Sequence, residues 1–280
     1  MSGEPMLSVR DLRVSFDTRR GPFEAVRGVS FDIGRERVAI VGESGSGKSM
    51  TGRAILGLIR PPGRVAASRL AFDGTELLSL SDRQMRRYRG QRISMVMQDP
   101  KYSLNPVMTI GRQIAEGLRV HGRPSSDEIK RRSRTMLEEV QIRDPDRVLA
   151  AYPHELSGGM GQRAMIAMML VTEPELLIAD EPTSALDVTV QLEILRILDD
   201  LVRQRGMGLI FISHDLRLVS TFCDRVLVMY RGRIVEEIEA RRLSQASHPY
   251  TQGLLNCLPK IGGGHGPLPV LERQDAWGEA

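Results

Sequence analysis

Eight consecutive residues, Gly42-Glu43-Ser44-Gly45-Ser46-Gly47-Lys48-Ser49, fit the spacing G-x-x-x-x-G-K-[ST]. Glycines let a backbone wrap closely, so that successive N–H groups point inward at phosphate oxygens. Lys48 supplies a compact charge for β- and γ-phosphates, and Ser49 offers a hydroxyl to Mg2+. Only four of the 39 basic residues are lysines, and one of them stands here, where a point-charge ammonium fits better than a planar guanidinium. A second group is Leu176-Leu177-Ile178-Ala179-Asp180-Glu181-Pro182, an apolar run ending in two carboxylates. Asp180 is placed to hold Mg2+, and Glu181 to polarise an attacking water. Gln98 ends another apolar run, as a metal or water contact should. His214 ends a third through Ser213, where an imidazole can hydrogen-bond a γ-phosphate. Leu156-Ser157-Gly158-Gly159-Met160 opens a helix with Ser157 as a natural N-cap and exposed glycine amides, which makes a second anion site far in sequence from the first. The economical way to use both is a head-to-tail dimer, each nucleotide lying between one subunit's phosphate loop and the other's Ser157 helix.

These residues need elements to carry them. Residues 37–41 form a compact apolar run ending in glycine, the pattern of a strand buried on both faces. The spacing predicts a helix over 48–59, stopped by Pro61-Pro62-Gly63. Short strands are expected at 7–9, 12–16, 25–33, 68–72 and 92–97, with an Asp73-Gly74 turn. From about 99 to 174 the periodicity turns helical, with helices over 110–120, 127–140 (opened by Ser125-Ser126-Asp127) and 157–171. Strands return at 176–179, 209–212 and 226–230. Between the first two lies an amphipathic helix over 190–205 that carries Leu192, Leu195, Leu198 and Leu201 or Val202. Met165, Met168 and Met169 read as core packing. The last forty residues change character, and Gly262-Gly263-Gly264 with Pro267 and Pro269 indicate a loose tail.

Composition narrows the classes. The chain has 280 residues, 41% hydrophobic and 26% charged, the balance of a globular protein. Its longest apolar run, 164–171, has eight residues, well short of the roughly 18 needed to span a bilayer. Met1-Ser2-Gly3-Glu4-Pro5 has neither a basic stretch nor an apolar core, so no leader is expected and the chain should stay in the cytoplasm. The net charge of +4 permits anionic partners without demanding them. The basic clusters at 83–92 and 130–134 contain one aromatic, Tyr88, and read as solvated helix faces, so nucleic acid is not an expected partner.

The order phosphate loop, Gln98, Leu156-Ser157-Gly158-Gly159, Asp180-Glu181, Ser184-Ala185-Leu186-Asp187, His214 resembles the nucleotide-binding subunit of an ABC transporter over about residues 7 to 260. The resemblance implies an α/β fold: a P-loop NTPase (RecA-like) core with an antiparallel β subdomain and an inserted α-helical subdomain. It places the core at 1–98 and 174–240, the helical subdomain at 99–173 and a C-terminal extension at 241–280. It implies ATP and Mg2+ as cofactors. Nucleotide contacts then fall on Phe16 (stacked on adenine), Gly42, Glu43, Ser44, Gly45, Ser46, Gly47, Lys48, Ser49, Met50, Gln98, Ser157, Gly158, Gly159 and Asp187. Mg2+ falls on Ser49, Gln98 and Asp180, and catalysis on Glu181, His214 and Lys48.

Ser-Gly-Gly-Met, Gln98-Asp99-Pro100, Ser103-Leu104-Asn105-Pro106 and His248-Pro249-Tyr250-Thr251 are similar to the D-type ATPases of bacterial oligopeptide, dipeptide and nickel importers. Such ATPases act at the cytoplasmic face of the inner membrane with an F-type ATPase, two membrane permeases and an extracytoplasmic binding protein. The segment after Gln98 and the helical subdomain pass closure of the ATPase dimer to the permeases. Some members carry an iron–sulfur cluster near the C-terminus; two cysteines, Cys223 and Cys257, cannot ligate one, so none is expected. Gly161 stands where the branch usually has a basic residue, and Met97 where Phe is more usual. The rival expectations are a soluble ABC-type ATPase acting on DNA or ribosomes, which would need coiled-coil insertions or two cassettes, and a P-loop kinase, which leaves Ser157, Asp187 and His214 unused. A GTPase would want Asn-Lys-x-Asp, and no Asn-Lys occurs.

Overall fold

The computed structural model describes residues 4–19, 21–184, 186–257 and 277. Residues 1–3 of the leader reading, Ala185 and the tail from Gly262 to Pro269 lie outside the described residues. In chain order the strands are Leu7–Thr18 (β1), Gly21–Ile33 (β2), Arg37–Val41 (β3), Gly63–Ala66 (β4), Arg69–Phe72 (β5), Thr75–Glu76 (β6), Ile93–Val96 (β7), Leu176–Asp180 (β8), Gly208–Ser213 (β9), Arg225–Tyr230 (β10) and Arg233–Glu239 (β11). The α-helices are Lys48–Ile55 (α1), Asp82–Met85 (α2), Pro100–Ser103 (α3), Ile110–His121 (α4), Ser126–Glu139 (α5), Pro145–Ala150 (α6), Gly158–Leu170 (α7), Val188–Arg205 (α8), Leu216–Phe222 (α9) and Pro249–Asn256 (α10). The chain forms two compact units, Met1–Ser79 with Phe211–Ala280, and Leu80–Ile210.

In the first unit an antiparallel sheet runs β2-β1-β5-β6, with β4 also paired to β1. The expected strands at 7–9 and 12–16 are one strand. Asp11 takes φ 49°, the register against β2 slips between Val9 and Leu12, and the Asp11 carboxylate holds the Arg13 guanidinium at 3.1 Å. The polar interruption is therefore a bulge and not a break. Asp73 and Gly74, at φ 48° and 73°, join β5 to β6 through two left-handed residues, the conformation a tight hairpin needs. β10 lies between antiparallel β11 and parallel β3, in register from Arg225 opposite Val38 to Val228 opposite Val41. Val38, Ala39, Ile40 and Val41 are all buried, as their unbroken apolar run requires.

One reading fails in this unit. α1 ends at Ile55, short of the prolines, because Gly57 turns left-handed (φ 60°) and the Leu58 N–H reaches back to the Arg53 carbonyl at 2.8 Å, a glycine-stopped helix end. Ahead of the segment 262–269 read as a loose tail, residues 249–256 are helical, with Tyr250 and Thr251 fully buried.

In the second unit β7 pairs in parallel with β8, from Ile93 opposite Leu176 to Val96 opposite Ala179. Side-chain caps start the helices around them: Thr109 for α4, Ser125 for α5, Asp144 for α6, Ser157 for α7 and Asp187 for α8. α8 stops at Gly206, φ 58°. Its expected apolar face is narrower than the spacing suggests. Leu195, Leu198, Leu201 and Val202 are buried, but Leu192 is 50% exposed, because it lies nearer the solvent-facing first turn. Met165 is core, whereas Met168 and Met169 are half-buried and line a cavity of about 410 Å³ with Gly90, Ser94 and Gly117. In the two basic clusters, Arg86–Asp82 and Arg134–Glu138 are exposed ion pairs. Such exposed pairs each contribute about 0–1 kcal/mol.

Candidate functional site

The phosphate loop lies in the first unit, between the buried strand β3 and helix α1. Two glycines are fixed by sterics. A Cβ on Gly42 (φ 150°) would stand 2.1 Å from the Met229 carbonyl oxygen, and one on Gly47 (φ 102°) 2.4 Å from that of Ala25. The loop is thus pressed against β10 and β2 with no room for a side chain. Lys48 is buried, and its ammonium donates to the carbonyls of Gly42 and Glu43, both at 2.8 Å. Ser46 is also buried, and its Oγ has no hydrogen-bond partner. A buried orphan hydroxyl calls for a ligand. With the buried ammonium beside it and exposed Ser44 and Gly45 at the rim, the loop suits an anion. A cavity of about 150 Å³ opens along Glu43, Ser44, Gly45, Ser46, Tyr230 and Arg231. Ser49 and Met50, half-buried, fall in the first turn of α1.

The Glu43 amide donates to the Tyr250 hydroxyl at 3.0 Å. Phe16, half-buried on β1, pairs across to Phe23 and to Gly63, where a Cβ would come within 2.7 Å of its ring. His214 follows β9 and is exposed, and the N–H of Asp215 next to it donates to Ser213 Oγ at 3.0 Å.

The second unit carries the acidic group. Asp180 is 5% exposed at the end of β8. Glu181 follows at φ 47°, a conformation disfavoured for a side-chain-bearing residue and held here by the turn. Its carbonyl accepts from the Ser184 N–H and Oγ at 3.3 and 3.2 Å. Gln98 Nε2 donates to Glu181 Oε2 at 3.4 Å, so two residues 83 positions apart meet. Gln162, 1% exposed inside α7, donates its amide to the Pro182 carbonyl and ties the Ser157 helix to the turn after Glu181. Sequence reasoning missed Gln162; an amide set among the apolar residues of a helix was the available signal.

Ser157 caps α7 by accepting from the Met160 N–H at 3.4 Å, and Gly158 beside it is exposed. A Cβ on Gly159 would fall 2.9 Å from Val190 Cγ1, so α7 and α8 touch there. Ser157, Gly159 and Met160 line a cavity of about 720 Å³ that does not include Glu181. Asp187 spends its Oδ1 on the Thr189 and Val190 N–H groups, both at 3.0 Å, as the cap of α8.

A family model described as "ABC transporter" matches residues 26–184. A probable peptide ABC transporter ATP-binding protein of Sinorhizobium fredii is 50% identical over 257 residues, covering 91% of this chain and 77% of its own. The chain belongs to the ABC transporter family. The dipeptide transport ATP-binding protein DppD of Haemophilus influenzae is 46% identical, over 95% of this chain and 82% of its own. Among solved structures, the dimeric post-hydrolysis state of the ATP-binding cassette MJ0796 bound to ADP and Pi is similar at TM-score 0.76 and 26% identity, covering 84% of this chain and 99% of that one. The cassette cbiO1 of Clostridium perfringens, part of the complex cbiONQ, is similar at TM-score 0.74 and 28% identity, covering 87% and 92%. This ABC protein is therefore an ATP-hydrolysing enzyme with a P-loop NTPase fold, as its motifs implied. Among its described residues no helix is long and apolar enough to cross a membrane.

Proposed function

We propose that this ABC ATPase is the motor subunit of a bacterial peptide importer, acting at the cytoplasmic face of the membrane with a second, F-type ATPase, two permeases and an extracytoplasmic binding protein. The peptide assignment is supported by relatives named for peptide, dipeptide and oligopeptide transport at 46–50% identity. The observation that carries the hydrolytic role is the contact of Gln98 with Glu181 beside the buried Asp180.

On this reading the amides of residues 45–50 bind the phosphates, Lys48 neutralises the β- and γ-phosphates, and Phe16 stacks on adenine. Ser49, Gln98 and Asp180 each carry a hard oxygen donor of the kind Mg2+ takes, and these residues would hold it. When bound, Mg2+ neutralises phosphate charge. Glu181 takes the proton of the attacking water, Gln98 orients the carboxylate, and His214 holds the γ-phosphate and the line of water. The amides after Ser157 and the Asp187 segment belong to the opposite side of a nucleotide bound by the second subunit. ATP thereby favours the closed dimer and ADP the open one, a population shift driven by differential binding. Residues 99–173 are the proposed helical subdomain, which with the segment after Gln98 passes closure to the permeases.

Glu181→Gln keeps ATP binding and stops turnover on this reading, measured by nucleotide titration and phosphate release. Robust hydrolysis by that variant would reject the base. Uptake of labelled di- and oligopeptides by the reconstituted complex tests the cargo; ATP-dependent uptake of neither would remove the peptide assignment.

A further inference from the structure

The sequence His248-Pro249-Tyr250-Thr251 has no task in the ATPase cycle above, yet each of its residues has a fixed place at the start of α10. His248 is the N-cap, its Nδ1 accepting the Tyr250 N–H at 3.2 Å, and Pro249 opens the first turn, where its missing N–H is not needed. Just ahead, Glu236 Oε1 on β11 accepts from the Ser247 and His248 N–H groups at 2.7 and 3.2 Å, which pins the chain where it enters the helix. The Tyr250 ring is fully buried against Tyr230, with centroids 4.4 Å apart, and Trp277 lies 5.8 Å from it.

This packing aims the phenol at the phosphate loop, where its oxygen accepts the Glu43 N–H at 3.0 Å. The peptide unit between Gly42 and Glu43 is then held at both ends. Its carbonyl accepts from Lys48 Nζ at 2.8 Å, and its N–H donates to Tyr250. A trans peptide directs those two groups to opposite sides, so lysine and tyrosine grip it from opposite directions. The far end of the loop is braced separately, by the Gly232 N–H donating to the Ser46 carbonyl at 2.9 Å.

The geometry points to Tyr250 as a positioning residue for ATP: a strap from the C-terminal helix that keeps the start of the phosphate loop in its binding shape. The inference rests on the proposed reading of the loop. When Lys48 turns its ammonium to the β- and γ-phosphates, its hold on the Gly42 carbonyl weakens, and the tyrosine keeps that peptide in place. Without the hydroxyl, the loop must be ordered at the moment of binding, and the affinity falls by that amount.

The test uses the full chain and Tyr250→Phe, which keeps the ring and its packing. Calorimetric titration with Mg-ATP should give a dissociation constant about three- to tenfold weaker with unchanged stoichiometry, the size expected for one neutral hydrogen bond. Hydrogen exchange of the nucleotide-free chain should speed up in the segment 42–47 and not elsewhere. His248→Ala, which loosens the cap and leaves the phenol, should weaken binding in the same direction by less. An affinity within twofold of wild type, or unchanged exchange at 42–47, overturns the strap. So does a fall in stoichiometry at unchanged affinity, which would mark simple unfolding. Wild type and Lys48→Ala in the same titration separate the two levels. If wild type fails to bind, or Lys48→Ala binds equally well, the reading of the loop fails; if only Tyr250→Phe matches wild type, the strap alone fails.

Discussion

Gly161 lies inside α7, four residues past the Ser157 cap, and is buried. Glycine in a helix interior is about 1 kcal/mol less favourable than alanine, because it loses more backbone freedom on folding. Whether alanine recovers that energy depends on space. A Cβ at Gly161 would meet Pro100 Cβ and Cγ at 3.9 Å, ordinary van der Waals contact, and the backbone there is not left-handed. The methyl group adds at most about 0.8 kcal/mol of apolar burial. Gly161→Ala should therefore stabilise the protein by roughly 1 to 1.5 kcal/mol, or roughly 2 to 3 °C in melting midpoint for a chain of this size. Gly159 is the control, because a Cβ there would stand 2.9 Å from Val190 Cγ1 and push it aside. Scanning calorimetry of the two variants should place Gly161→Ala above wild type and Gly159→Ala at or below it. A Gly161→Ala midpoint at or below that of wild type would refute the reasoning from free space.

Gln162→Leu leaves the Pro182 carbonyl without its buried donor and should destabilise the protein by about 1–3 kcal/mol, read from denaturant unfolding. Since Pro182 follows Glu181, the same variant should lower kcat more than it weakens ATP binding; a loss confined to binding would contradict the link. Burial pushes the Cys223 thiol up, so its reactive thiolate is scarce at neutral and mildly basic pH. Cys257 is only half-buried. Ellman's reagent at about pH 8 should therefore titrate Cys257 in the folded chain and Cys223 only after unfolding; rapid labelling of both would show that the burial of Cys223 is wrong.

What the sequence revealed and what it hid follow from the range of the interactions. The phosphate loop was legible because its glycines, lysine and serine lie within eight residues and each answers a local demand. The strand ends that carry Gln98 and Asp180 were legible because a strand buried on both faces must be apolar until it stops. The Ser157, Ser125 and Asp187 caps followed the same local logic, although Asp187 was noticed for its motif and not for its capping role. The bond from Glu43 to Tyr250 spans 207 residues, and nothing local marks a tyrosine as aimed at a loop. Leu192 kept helical spacing yet stayed in solvent, because spacing gives a face and not the extent of its cover. α1 stopped at Gly57 although the prolines further on were the louder signal: one left-handed glycine suffices to end a helix. β11 was missed because its Val-Glu-Glu-Ile centre breaks strict alternation, and the register against β10 does shift, between Val228 and Met229.

The sandwiched triphosphate is tested most directly by the structure of the Glu181→Gln variant trapped with ATP in its assembled complex. The expected result is a nucleotide gripped by Lys48 of this chain with a second ATPase subunit's capped helix against its γ-phosphate, and Ser157 of this chain against the nucleotide held by that subunit. Ser157 facing open solvent in an ATP-loaded assembly would contradict it.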